Sequence, residues 1–159
     1  YPLDYVIFPY NFYHNIGWHN PEKPRWDSFD DMVQTLRARK IGVVTMKAFA
    51  GDFLVGPLRN IAKNYKESRE VDFTQAAMRY VVNSPLKPDS TFTGMYNMDH
   101  LYRNVGAYFK PDMSSEERAL LKQVRDSARM VAKFHLPAHY QFLENWAAKT
   151  SDLDNVKLG

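Results

Sequence analysis

Two glycine-containing turns, at residues 50–52 and 94–97, hold the residue types in this chain that are best suited to chemistry. Each turn follows a short apolar run, at residues 41–46 and 90–93. Glycine lets the main chain approach a ligand closely, and main-chain N–H groups at the start of a helix attract phosphate. The turns therefore indicate phosphate binding near Gly51 and Gly94, although glycine is also common in turns that bind nothing.

The sequence contains few residue patterns that indicate other kinds of catalytic chemistry. None of the five histidines lies in a nucleophile-elbow or zinc-protease motif. His14 and His19 share one loop, where a metal pair competes with the more ordinary interpretation of two exposed side chains. The adjacent Glu116 and Glu117 stand at a predicted helix start, where the helix dipole accounts for them. The chain has no cysteine, which excludes disulfides and thiolate metal ligands within it.

Strand and helix patterns alternate along the chain, which is typical of a parallel α/β sheet. Strands are predicted at residues 4–9, 41–46 and 90–93. Helices are predicted at residues 28–39 and 72–83, from about Met98, from Ser114 to a break at Pro137, and near residues 138–148. Ser28, Asp72, Asn97 and Ser114 are the expected N-caps, with Gln75 and Glu117 placed to complete capping boxes. We expect residues 1–135 to form one unit and residues 136–159 a C-terminal helix and tail.

Composition and charge limit the kinds of molecule that the chain is expected to bind. Of 159 residues, 45% are hydrophobic and 25% charged, as in ordinary globular proteins. The formal charge is +3, and the basic residues are interspersed with acids rather than gathered in a nucleic-acid-binding run. No apolar run approaches the roughly 20 residues that a membrane helix needs. The sequence therefore predicts neither a nucleic-acid nor a membrane partner, and it leaves the compartment open, with the cytoplasm as the default.

Four segments together resemble the aldo-keto reductases. The string IGVVTMKAFAG at residues 41–51 resembles the penultimate barrel strand and following loop of that family. TQAAMRYVVN at residues 74–83 resembles its next helix, and TFTGMYNMDHLYRN at residues 91–104 resembles its last strand and turn. Residues 4–11 resemble an earlier strand. The matches keep their order and spacing over most of residues 1–135.

The resemblance implies a fold and an activity. Residues 1–110 would be the last three βα units of a (β/α)8 TIM barrel, followed by C-terminal helices. The full barrel would reduce aldehydes or ketones with NADP or NAD, and the family's catalytic residues would all lie on strands outside this chain. This chain would form the cofactor cradle, and its partner would be the other half of the barrel or another chain covering the open sheet edge.

The resemblance also assigns cofactor contacts. Met46 would lie against the nicotinamide, the turn that begins at Lys47 would wrap the pyrophosphate, the turn that begins at Gly94 would receive the 2′-phosphate ribose, and Asn104 would touch the adenine. The implied cofactor-binding residues are Met46, Lys47, Ala48, Phe49, Gly51, Gly94, Met95, Tyr96, Asn97, Arg103 and Asn104.

Three positions depart from the family pattern. Ile7 replaces the glutamine that holds the nicotinamide amide, Tyr96 replaces an arginine, and Arg103 replaces a glutamate. Ile7 and Tyr96 favour an alternative, in which a reductase-derived barrel serves as a non-catalytic binding or structural subunit. The aromatic-rich loop at residues 12–26 fits that alternative as an interface anchor, and fits equally well as a lid.

Overall fold

A computed structural model describes residues 2–13, 29–51 and 54–135, and within them a three-stranded sheet. The strands are β1 (Tyr5–Pro9), β2 (Gly42–Met46) and β3 (Ser90–Phe92). All pairs are parallel and the spatial order is β1-β2-β3. The predicted parallel sheet with strands in chain order is therefore confirmed, and each strand ends within one residue of its predicted bounds.

Helices alternate with the strands. They are α1 (Phe29–Ala38), α2 (Pro57–Ala62), α3 (Phe73–Val82), α4 (Met98–Phe109) and α5 (Ser115–His135), with a short 3-10 helix at Lys66–Arg69. Helix α2 was not predicted, because its glycine- and proline-containing surroundings resemble a loop. Pro57 in the first turn is the signal that could have revealed it, since proline fits the start of a helix. The predicted cap Ser28 and the predicted helix at 138–148 lie outside the described residues.

The predicted caps form at three helices. The Asp72 carboxylate accepts hydrogen bonds from the main-chain N–H groups of Thr74 and Gln75, at 2.8 and 3.1 Å. Gln75 does not reach back to complete a box, because its side-chain oxygen accepts a bond from Arg79 instead.

At α5 the capping box is complete. The Ser114 hydroxyl accepts from the Glu117 N–H at 3.1 Å, and the Glu117 carboxylate accepts from the Ser114 N–H at 2.9 Å. The Asn97 side chain caps α4 by accepting from the His100 N–H at 2.9 Å. These local bonds fix where each helix begins.

The two faces of the sheet have different surroundings. On one face, a hydrophobic cluster joins Val6, Phe8 and Val43 to side chains of α1, α3 and α4, namely Val33, Leu36, Met78, Val81 and Ala107. The opposite face carries Tyr5, Ile7 and Phe92, which are 60%, 37% and 60% exposed. The described helices therefore bury one face of the sheet and leave apolar side chains open on the other.

A second hydrophobic cluster lies among the helices. It includes Leu54 and Leu58 near and on α2, Phe73 and Ala77 on α3, and Leu120 and Val124 on α5. Phe12, from the segment after β1, is 1% exposed and meets the ring of Phe73 edge-on at 5.7 Å between centroids. This cluster attaches α5 to the rest of the described chain.

Asp89, directly before β3, holds two strands in register. Its carboxylate accepts from the Val43 N–H at 2.7 Å and from the Arg37 guanidinium at 2.5 Å. The Val43 N–H, with help from Arg37, holds the pKa of Asp89 below its ordinary value. A lowered pKa means that this stabilisation is complete above pH of about 4 and is lost as pH falls through the folded-state pKa.

We predict that Asp89→Asn lowers the free energy of unfolding at pH 7 by less than about 1 kcal/mol, because solvent screens a half-exposed carboxylate. The difference from wild type should shrink as pH falls from 4 toward 3, because the wild-type carboxyl becomes increasingly protonated in the folded chain. Urea unfolding at both pH values measures this, with Asp112→Asn, an exposed carboxylate, as control. A difference that stays constant with pH would show that the charge of Asp89 is not what stabilises the strands.

Candidate functional site

The carboxyl ends of the three strands lie side by side. Pro9 pairs with Met46, and Met46 pairs with Phe92, so the segments that follow the strands start from one edge of the sheet. Ligands of parallel α/β sheets bind at this edge. The structure therefore brings the turns after β2 and β3, at residues 47–51 and 93–97, to neighbouring positions. They overlap the predicted turns at residues 50–52 and 94–97.

The turn after β2 has an unusual backbone. Lys47, Ala50 and Gly51 adopt the left-handed conformation, with φ of 55°, 47° and 60°. For residues other than glycine this conformation costs of order 1 kcal/mol or more, and it concentrates at functional sites. The same conformation at Lys40 has a simpler origin, because Lys40 lies just after the end of α1. Lys87 lies in a separate turn, in which its N–H donates to the Ser84 carbonyl at 3.0 Å. No helix precedes Lys47 and Ala50, so helix termination does not explain their strain.

A buried asparagine holds this turn in place. The Asn11 side chain, 1% exposed, donates to the Lys47 carbonyl at 3.1 Å, and the Ala50 N–H donates to the same carbonyl at 2.8 Å. The Asn11 oxygen in turn accepts from the Tyr13 N–H at 3.1 Å. Sequence reasoning missed this role of Asn11, and the only signal for it was a polar side chain two residues after the end of β1.

The same turn leaves main-chain donors available. Within the described part of the chain, the N–H groups of Ala48, Phe49 and Gly51 have no hydrogen-bond acceptor. Successive N–H groups in a turn that contains left-handed residues form a concave site for anions. Ala48 is nearly buried, at 1% exposed, which raises the cost of an unsatisfied donor. The turn at residues 47–51 therefore has main-chain donors of the kind that bind phosphate in other proteins.

The turn after β3 is more open. Met95 and Tyr96 are 48% and 79% exposed. Gly94 has an ordinary backbone conformation, and a Cβ atom placed on it would meet only the Tyr96 ring, at 3.8–4.0 Å. A side chain at Gly94 is thus compatible with the fold. What glycine provides at this position is open space in front of the main chain. The Asn97 side chain is committed to capping α4.

Arg103 and Asn104 are both engaged within the chain. The Arg103 guanidinium binds the carboxylates of Asp72 and Asp99, and the Asp72 charge raises the pKa of Arg103 further above its ordinary value. Asn104 is 6% exposed, and its amide donates to the Thr93 hydroxyl at 3.1 Å. The positive charge of Arg103 is therefore largely neutralised by these two carboxylates, and Asn104 supports the base of the turn after β3. Their predicted contacts with a nucleotide stay predictions.

A cavity of about 220 Å³ lies between α3 and α5, and none of the predicted cofactor residues lines it. Among the described residues, no group of His, Asp and Glu side chains is arranged to hold a metal ion. No helix in the described ranges has the length and apolar character required to cross a membrane. His14 and His19 lie outside the described residues.

Of the aromatic-rich loop, the structure describes only Phe12 and Tyr13, which are buried together with Tyr10 just before them. Tyr10 and Phe12 are 5% and 1% exposed, and Tyr10 stacks on Tyr80 with ring centroids 6.0 Å apart. Tyr10 and Phe12 therefore serve the hydrophobic core, and they are not exposed interface anchors. Trp18 and Trp26 lie outside the described residues.

Comparison with known proteins does not assign a family to this chain. No family model matches it, and neither a search of curated proteins nor a search of solved structures finds a match.

Proposed function

We propose that this chain binds a nicotinamide dinucleotide, NADP or NAD, as part of a (β/α)8-like barrel that reduces a small aldehyde or ketone. The observation that carries the proposal is the strained turn at residues 47–51, with its available N–H groups, at the carboxyl end of the central strand. A dinucleotide supplies the pyrophosphate that such a turn can bind. The second turn, at residues 93–97, adds an open surface beside it.

The arrangement of strands and helices supports a barrel. In a doubly wound sheet the strand order reverses and helices cover both faces. Here the strands follow chain order, and α1, α3 and α4 contribute to one cluster on one face. Right-handed crossovers between strands in chain order give this one-sided arrangement, as in a barrel. The apolar opposite face, with Tyr5, Ile7 and Phe92, corresponds to a barrel interior.

The chain's own contribution would be binding and orientation. The backbone around Phe49 would hold the pyrophosphate, and Met46 at the end of β2 would lie against the nicotinamide ring. The cofactor carries the hydride chemistry, and the proton donor to the substrate would come from strands outside this chain. Because Arg103 is neutralised by Asp72 and Asp99, the chain offers little charge specific for a 2′-phosphate.

We predict that Gly94→Val weakens NADPH binding by the full-length protein at least about tenfold, which corresponds to about 1.4 kcal/mol. The reason is steric, since the side chain would occupy space in front of the turn where the nucleotide would lie. Fluorescence titration of NADPH against wild type and variant measures the change. Gly106→Ala, on α4, is the matched control, because its Cβ would meet only the Gln75 amide at 3.6 Å.

One observation favours the alternative function, that of a non-catalytic binding or structural subunit. Met98, Tyr102, Val105 and Phe109 lie along one face of α4 and are 57%, 69%, 40% and 81% exposed. Exposed apolar surface of this kind is typical of interaction sites. If the wild type does not bind NADPH, the cofactor proposal is wrong and a non-catalytic binding or structural subunit becomes the better explanation. Equal affinity in wild type and Gly94→Val would instead show that the turn at residues 93–97 does not contact the cofactor.

A further inference from the structure

We propose that the cavity between α3 and α5 is a second binding site, for a small organic anion with a flat apolar body, such as an aromatic carboxylate. This α5 pocket has a volume of about 220 Å³. Sites for drug-sized ligands are commonly 300–1,000 Å³, so the α5 pocket suits a single-ring molecule and is too small for a dinucleotide. It shares no residue with the proposed cofactor site.

Four side chains give the α5 pocket an apolar wall: Phe12, Tyr80, Met113 and Leu121. The rings of Phe12 and Tyr80 lie 6.4 Å apart at an angle of 71°. Aromatic rings pack well against other rings in edge-to-face or offset arrangements, and a methionine adapts its shape to such a partner. The wall therefore favours a planar hydrocarbon group over an extended polar one.

Three basic side chains form the other side of the α5 pocket. Arg118, Lys122 and Arg125 are spaced by four and three residues on α5, which places them along one face of the helix. Lys122 pairs with Asp126 at 2.8 Å. Within the described part of the chain, the guanidinium groups of Arg118 and Arg125 have no hydrogen-bond or ion-pair partner. Among the described residues, no acidic side chain lines the pocket, so the electrostatic environment that they provide favours an anion.

Arg125 provides the most specific indication of a ligand. Its Nε atom is enclosed by protein and has no hydrogen-bond acceptor among the described residues. An unsatisfied enclosed donor is destabilising, and a bound carboxylate would satisfy it once a shift of the Arg125 side chain opens Nε to the ligand. A guanidinium and a carboxylate also form paired, charge-assisted hydrogen bonds, which explains why a carboxylate suits this position better than a neutral polar group.

The test is a titration of the whole chain with benzoate and, separately, with benzyl alcohol, which has a similar ring and no charge. Amide chemical shifts in NMR spectra report both binding and its location. We expect benzoate to shift amides around Leu121 and Arg125 in a saturable manner, and benzyl alcohol to bind at least about tenfold more weakly. Equal affinity for the two compounds, or benzoate shifts elsewhere only, would overturn the proposal.

A variant isolates the role of the guanidinium. Arg125→Met keeps much of the side-chain length and should weaken benzoate binding at least about tenfold. Lys63→Met, outside the α5 pocket, should leave it unchanged. Unchanged benzoate affinity in Arg125→Met would refute the assignment of the anion to this residue. The comparison of benzoate with benzyl alcohol on wild type decides the proposal even if Arg125→Met does not fold.

Discussion

Replacing Arg79 by methionine is expected to lower the free energy of unfolding by about 3–5 kcal/mol, because it leaves the buried carboxylate of Glu117 without a counter-charge. The Arg79 guanidinium binds Glu117, and the two side chains are 15% and 4% exposed. Arg79 also donates to the Lys110 carbonyl at 2.8 Å and to the Gln75 side-chain oxygen at 3.0 Å. One residue thus joins α3 to the start of α5 and to the end of α4.

Chemical denaturation of wild type and Arg79→Met measures this effect. The matched control is Lys122→Met, which removes an exposed ion pair with Asp126 and should change stability by only about 0.5 kcal/mol or less. Adding Glu117→Gln to Arg79→Met should recover part of the loss, since it removes the unpaired charge. A loss below about 1 kcal/mol for Arg79→Met would mean that water or other groups replace Arg79 as partners of the Glu117 carboxylate.

Leu58→Ala is expected to destabilise the chain by about 2–5 kcal/mol, the usual cost of a large-to-small change in a close-packed core. Leu58 is fully buried on α2, in the cluster that also contains Leu120 of α5. The cavity left by the truncation would lie between elements that are distant in sequence, so little local rearrangement can fill it.

The same denaturation experiment tests Leu58→Ala, with Leu3→Ala as control because Leu3 is 58% exposed. The control should change stability by about 0.5 kcal/mol or less. This pair of variants also tests α2 itself. If residues 57–62 formed an exposed loop, the two variants would have similarly small effects.

The parts of the fold that sequence reasoning predicted are those governed by neighbouring residues. Strands 4–9, 41–46 and 90–93 were recognisable from short apolar runs, and the Ser114–Glu117 capping box depends only on residues three apart. The parallel order followed from the alternation of strands and helices. Each of these features was confirmed, whereas the barrel, the cofactor and the activity stay proposals.

The parts that were missed depend on residues far apart in the chain. The bond from Asn11 to the Lys47 carbonyl spans 36 residues, and the ion pair between Arg103 and Asp72 spans 31. Whether Arg103 is available to a ligand is decided by where α3 packs against α4, which no local pattern encodes. The left-handed backbone of Lys47 was also unforeseen, because residues other than glycine seldom signal it.

The two outer strands of the sheet, β1 and β3, differ in their tendency to cause aggregation. β1 and β3 each have one neighbouring strand in the described chain, so each has an edge of unpaired main-chain groups. β3 is only three residues long, and short edge strands are poor templates for pairing with another molecule. β1 is five residues long and has the exposed Tyr5 and Ile7 on one face, with exposed Leu3 just before it. Wherever the edge of β1 is left uncovered, it is the first place where strands of separate molecules would pair in concentrated solution.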